Sequence, residues 1–208
     1  MVKALLVSLV MAYPCALLAR PVKPMKLQAI PRLTSSQAGG GGGGGITHVQ
    51  SAIQNSAGAV ASLAKSFASN ITAGNMIVVS AVAYKSAGGQ GLDTPTDDKS
   101  NTYVFVASRT QTTSGQMTVW IWVAANVAAG ATQVTVAEAA GTADITMAIA
   151  EYSGANTVNP IDTGSTGTAT DATPTTPTTP VANNGSLIVA AVSHQGPLKC
   201  IRSGANKQ

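Results

Sequence analysis

The chain is poor in charge and in aromatic rings: of 208 residues, 10% are Asp, Glu, Lys or Arg and 4% are Phe, Trp or Tyr. Low charge with 45% apolar content argues against a solvated disordered chain, which needs the opposite balance. There are two cysteines, Cys15 and Cys200, and neither sits in a CxxC or Cys/His cluster. A zinc site therefore has no support, and with Cys15 in a segment expected to be cleaved, Cys200 is left unpaired and the folded part is not a disulfide scaffold. The two histidines, His48 and His194, are far apart and read as strand residues. No Gly-x-Ser-x-Gly elbow accompanies them, so nothing marks a serine hydrolase.

The net charge of +4 is unevenly placed. Lys3, Arg20, Lys23, Lys26 and Arg32 precede a run of seven glycines, and Lys199, Arg202 and Lys207 close the chain. Between Ile46 and His194 four bases stand against eight acids, a net of about −4. The basic residues lie in the tails, so no nucleic-acid footprint is present on the domain.

Met1–Ala19 has the form of a signal peptide: Lys3 is a positive start and Ala4–Ala12 an apolar stretch. The stretch is shorter than the roughly 20 residues a membrane span needs. Residues 20–45 read as a disordered basic linker, with Pro21, Pro24 and Pro31 followed by Gly39–Gly45. Phosphate-binding loops follow their glycines with Lys-Ser/Thr and a helix, whereas here Ile46-Thr47-His48-Val49 reads as a strand. The domain is expected over residues 46–195, with residues 196–208 a disordered tail.

The strongest element is Asn75–Tyr84, which carries four Val or Ile. Ile77, Val79, Ala81 and Ala83 share one face, and Met76, Val78, Ser80, Val82 and Tyr84 the other. Both faces are largely apolar, as in a strand covered on both sides. Further strands are expected at Ile46–Ile53, Ser62–Ala68, Thr102–Ser108, Gln116–Ala125, Thr132–Ala137, Ala143–Tyr152 and Asn184–His194, with turns between them. Many short strands with regular turns point to an all-β antiparallel sandwich, Ig-like or jelly-roll-like. Thr163–Pro180 is low in complexity and carries Pro174, Pro177 and Pro180, so an exposed loop or edge excursion is expected there.

Four short pieces carry a resemblance: Gly74-Asn75-Met76-Ile77-Val78-Val79, Asp98-Lys99-Ser100-Asn101-Thr102-Tyr103, Ala124-Ala125-Asn126-Val127 and Ala150-Glu151-Tyr152-Ser153-Gly154. In this order they resemble an uncharacterised β-sandwich module of bacterial secreted and surface proteins, also seen in phage-like structural proteins. The resemblance covers roughly Ala57 to Gln195. It implies an Ig-like sandwich in an extracellular setting, often beside other modules, and no catalytic residues. In the family pattern a glycine stands where this chain has Ser100. The family also continues with further strands after the segment matching Asn184–His194, so a truncated or frameshifted reading frame is expected here. A missing strand would bare a sheet edge to self-association or to a strand-donating partner.

Asp93, Asp97, Asp98 and Asn101 form the densest cluster of oxygen ligands and are a candidate calcium site. The alternative is a solvated turn. Trp120 and Trp122 share a strand face and would make a sugar platform if exposed, or core if buried. Glu151 lies on the face of Ile145, Met147 and Ile149, and a glycosidase would need a second carboxylate opposite it. Asn70-Ile71-Thr72 and Asn184-Gly185-Ser186 are glycosylation sequons. The expected function is a non-catalytic extracellular module for surface attachment or for binding carbohydrate or protein. The alternative is a structural subunit of a surface layer or phage-like virion, and a glycoside hydrolase stands last.

Overall fold

The computed structural model describes residues 5–12, 45–85, 91–111, 116–169 and 187–194. The fold is all-β and sandwich-like, with no helix among these residues. The described residues form eleven strands: β1 (Leu5–Ala12), β2 (Thr47–Val60), β3 (Ser62–Ser66), β4 (Met76–Lys85), β5 (Thr96–Asp97), β6 (Val104–Gln111), β7 (Gln116–Ala124), β8 (Gln133–Ala137), β9 (Ala143–Ser153), β10 (Ile161–Ala169) and β11 (Leu187–His194).

A five-stranded antiparallel sheet in the order β2-β9-β4-β7-β6 is the centre of the molecule. Its middle strand β4 pairs Ile77 with Ala124 on one side and with Glu151 on the other. The apolar character of both faces of β4 is explained by cover on both sides. Ile77, Val79, Ala81 and Ala83 enter one core with Trp120, Trp122, Ile145, Met147 and Ile149. The antiparallel sheet β3-β8-β5 closes this core with Val134 and Val136. Met76, Val78 and Val82 enter a second, smaller core with Met117, Val119, Ile121 and Val123. Leu187, Val189 and Ala191 of β11 pack on that second face.

The structure departs from a two-sheet antiparallel sandwich in its third layer, β10-β1-β11, where β1 pairs in parallel with both neighbours. Leu5–Ala12, which lies in the stretch expected as the apolar part of a leader, forms β1 in the full-length chain. A short run of Leu and Val satisfies either role, because periodicity cannot separate them at that length. Ile161–Ala169 is an edge strand and overlaps the start of the stretch expected as an exposed loop or edge excursion; its Thr-rich sequence suits pairing and the prolines of that stretch begin only at Pro174. The short β5 was not anticipated. Residues 13–44, with the linker and Cys15, and 195–208, with Cys200 and the expected truncation, lie outside the described residues.

Candidate functional site

The four motif segments meet at one end of the central sheet. Each contains a residue with positive φ: Gly74 at 80°, Ser100 at 56°, Asn126 at 53° and Gly154 at 77°. Such residues reverse the chain where strands end, and only glycine adopts that region without steric cost. Asn tolerates it through local hydrogen bonding, while Ser is the least suited of the four. The position where the family pattern has glycine thus takes a glycine-like conformation with a serine in it.

Hydrogen bonds tie these turns together. Gly74 N–H donates to the Val127 carbonyl at 2.9 Å, and Val127 N–H to the Asn75 carbonyl at 3.1 Å. Gly130 N–H reaches the Ile71 carbonyl at 3.0 Å. Asn101 Oδ1 accepts the Ala128 N–H at 2.8 Å, which joins the β5–β6 connection to the β7–β8 connection. Glu151 lies beneath, at 0% exposure. Its Oε1 accepts from Asn75 Nδ2 at 2.5 Å and from Thr72 N–H at 3.0 Å, and its Oε2 accepts from Gln50 Nε2 at 2.7 Å. Gln50 in turn accepts the N–H and the hydroxyl of Ser69 through Oε1. A buried carboxyl is tolerated only when donors meet its oxygens, and here three amide donors do so, one from β2 and two from the β3–β4 connection. No lysine or arginine pairs with it among the described residues.

The expected oxygen cluster divides. Asp97 Oδ1 accepts the backbone N–H groups of Lys99 and Asn101, and Oδ2 accepts Asn101 Nδ2 and the Tyr103 hydroxyl at 2.8 Å. Asp98 accepts the N–H and hydroxyl of Thr132 and the N–H of Gln133. Asp93 is exposed and shares no hydrogen bond with the other three; its own N–H donates to the Ala137 carbonyl. Burial works against ionisation of Asp97, but the bonds from Asn101, Lys99 and Tyr103 outweigh it and hold the carboxyl below its usual range. Slight burial of Asp98 is likewise outweighed by donors from Thr132 and Gln133. Burial first, and the bond to Asp97 second, push the Tyr103 phenol up. Oxygens so occupied by N–H and O–H donors act as a latch between loops. A calcium ion would have to displace those donors, and no group of three or more His, Cys, Asp or Glu is arranged for a metal among the described residues.

Trp120 and Trp122 are 8% and 2% exposed and stack on each other with centroids 6.2 Å apart. A sugar platform needs an open ring face, so both tryptophans are corrected from ligand-binding candidates to core. The β3-β8-β5 sheet, whose strands β3 and β8 were expected but not their place over the tryptophans, contributes Val134 and Val136 to the same core. His48 is exposed and meets the edge of the Tyr152 ring.

At the opposite end of β4, Lys85 Nζ lies 3.2 Å from Glu138 Oε1 and donates to the Ala140 carbonyl at 2.7 Å. Gly91 N–H also donates to Oε1, while the buried Oε2 has no hydrogen-bond partner. Sequence reasoning missed this pair, because Lys85 and Glu138 are 53 residues apart and belong to no motif.

No family model, no curated protein and no solved structure matches the chain. The resemblance to the bacterial surface module therefore rests on the four motifs alone.

Proposed function

We propose that this chain is a non-catalytic, extracellular β-sandwich module that acts by attachment to, or assembly with, other proteins. The observation that carries this reading is the use made of Glu151. A catalytic carboxyl must face substrate, whereas Glu151 is fully buried and spends both oxygens on Gln50, Thr72 and Asn75. Burial of the tryptophan pair weighs against sugar rings as the partner and leaves the exposed apolar residues Val49, Ile53, Val104 and Phe105 on the two edge strands. Extracellular placement is argued from the leader-like sequence of Lys3 and the apolar Ala4–Ala12, whose Leu5–Ala12 part forms β1 in the full-length chain.

The test is a pair of assays on the purified chain. Titration with soluble glycans is expected to leave tryptophan emission unchanged, because sugars have no open ring face to stack on. Glycoside hydrolysis is expected to be absent in wild type and in Glu151→Gln alike. Turnover that disappears in Glu151→Gln without loss of fold would overturn the reading in favour of a hydrolase.

A further inference from the structure

Natural sheets protect their edge strands with charge, proline, shortness or cover. The edge strand β2 lacks the first three. It runs for 14 residues, Thr47–Val60, with no Asp, Glu, Lys, Arg or Pro. Among the described residues β9 is its only partner in the sheet, and none of their strands pairs with its outer row of backbone groups. Register with β9 is unbroken from Gln50 to Asn55. Within that run Ser51, Ile53 and Asn55 share one face and are exposed, Ile53 at 39%. The other face carries Gln50, Ala52 and Gln54, with Ala52 packed on the main core.

The opposite edge, β6, differs. It carries Arg109, and its register with β7 shifts between Phe105 and Ala107, the kind of irregularity that turns an edge away from pairing.

We infer that β2 is a self-pairing edge, and that its partner is the β2 strand of a second copy of this chain, antiparallel about a two-fold axis through Ile53. The charge pattern selects this occupant. An isologous contact sets a patch against itself, so any charge near the axis meets its own kind. Gln50–Asn55 presents none. Residues opposite each other in an antiparallel pair share a face only if they are an even number apart, which places the axis on a residue. Centred on Ile53, the pairing sets Ile53 against Ile53 of the second copy and Ser51 against its Asn55. On the other face Ala52 meets Gln54. Exposed apolar surface is covered, Ser51 and Asn55 meet as hydrogen-bonding partners, and Gln54 lies over a small apolar residue with no charge buried. The two central sheets then join as one of ten strands.

The inference deepens the proposed function by naming the assembling surface, and it fails separately from it. Multi-angle light scattering across a concentration series is read on the full chain with Cys15→Ser and Cys200→Ser. The expected mass rises to twice that of the monomer. Ile53→Lys, which sets two lysines face to face, and Ser51→Lys are expected to return it to monomer. Both sites are exposed, and an unchanged circular dichroism melt verifies the fold. Added Ile53→Cys is expected to cross-link under oxidation, because opposite Cα atoms lie about 4.5–5.5 Å apart, within disulfide range. A monomer at every concentration, or a dimer that survives both lysines and does not cross-link, overturns the inference. Glycoside turnover would instead overturn the function on which it rests.

Discussion

The two ends of β4 each bury a glutamate near the central sheet, and they do so differently. At the motif end Glu151 has both oxygens satisfied by neutral N–H donors drawn from Gln50, Thr72 and Asn75. At the other end Glu138 has a lysine, one backbone donor and an oxygen with no partner. The motif end is a clamp, in which three chain reversals and the Glu151 side chain of β9 are tied by hydrogen bonds. The other end is an ion pair that leaves part of a buried carboxyl unmet. Local motifs mark the first and nothing in the sequence marks the second, because a clamp needs particular residues at particular turns and an ion pair needs only two charges brought together by the fold.

Replacement of Glu151 tests this contrast most severely. Glu151→Gln puts an amide N–H among three donors, and the expected loss is about 2–4 kcal/mol in urea unfolding, from bonds to a carboxyl and from donors left unmet. At the other end, Lys85→Met leaves Glu138 buried without its cation, and about 2–3 kcal/mol of loss is expected. Glu138→Gln should cost less, under about 1 kcal/mol, since it removes the buried charge itself. Equal losses for Lys85→Met and Glu138→Gln would show that the pair is not stabilised as described.

The Asp97 latch adds a pH dependence. Its folded carboxyl lies below the unfolded value of about 3.9, so its contribution is present above that value and is lost as pH falls through the folded one. Tyr103 shifts the other way: its contribution holds below about pH 10 and is lost as pH rises beyond it. Asp97→Asn should flatten the acid limb of stability against pH and cost about 1–2 kcal/mol at neutral pH. Tyr103→Phe should flatten the alkaline limb.

The smallest effect is a gain. Ser100→Gly removes a side chain from a residue at φ 56° and should stabilise the chain by about 0.5–1 kcal/mol. Asn126→Gly, at φ 53°, should gain less because Asn tolerates that region. Thermal melts of the two variants side by side decide this, and an equal or larger gain for Asn126→Gly would place the strain elsewhere.

The sequence was legible where burial and pattern coincide. The alternating faces of Met76–Tyr84 and Gln116–Ala124 foretold which side chains enter which core, because each strand is covered on both sides. The position of Glu151 on the Ile145, Met147, Ile149 face was equally plain. Its partners were not, since Gln50 and Asn75 lie 101 and 76 residues away and only the β2-β9-β4 order brings them together. The tryptophans were ambiguous for a related reason: exposure depends on the β3-β8-β5 sheet laid over them. Leu5–Ala12 is open to two readings because an apolar run carries no mark that distinguishes a leader from a strand.

The most direct test is native-state hydrogen exchange on wild type and Glu151→Gln. The account predicts that the amides of Thr72, Gly74, Val127, Ala128 and Gly130 lose protection together, while the paired amides of β4 and β7 keep theirs. Loss confined to Thr72, with Val127 and Ala128 protected as before, would mean that the motif segments close their turns independently and that no clamp exists.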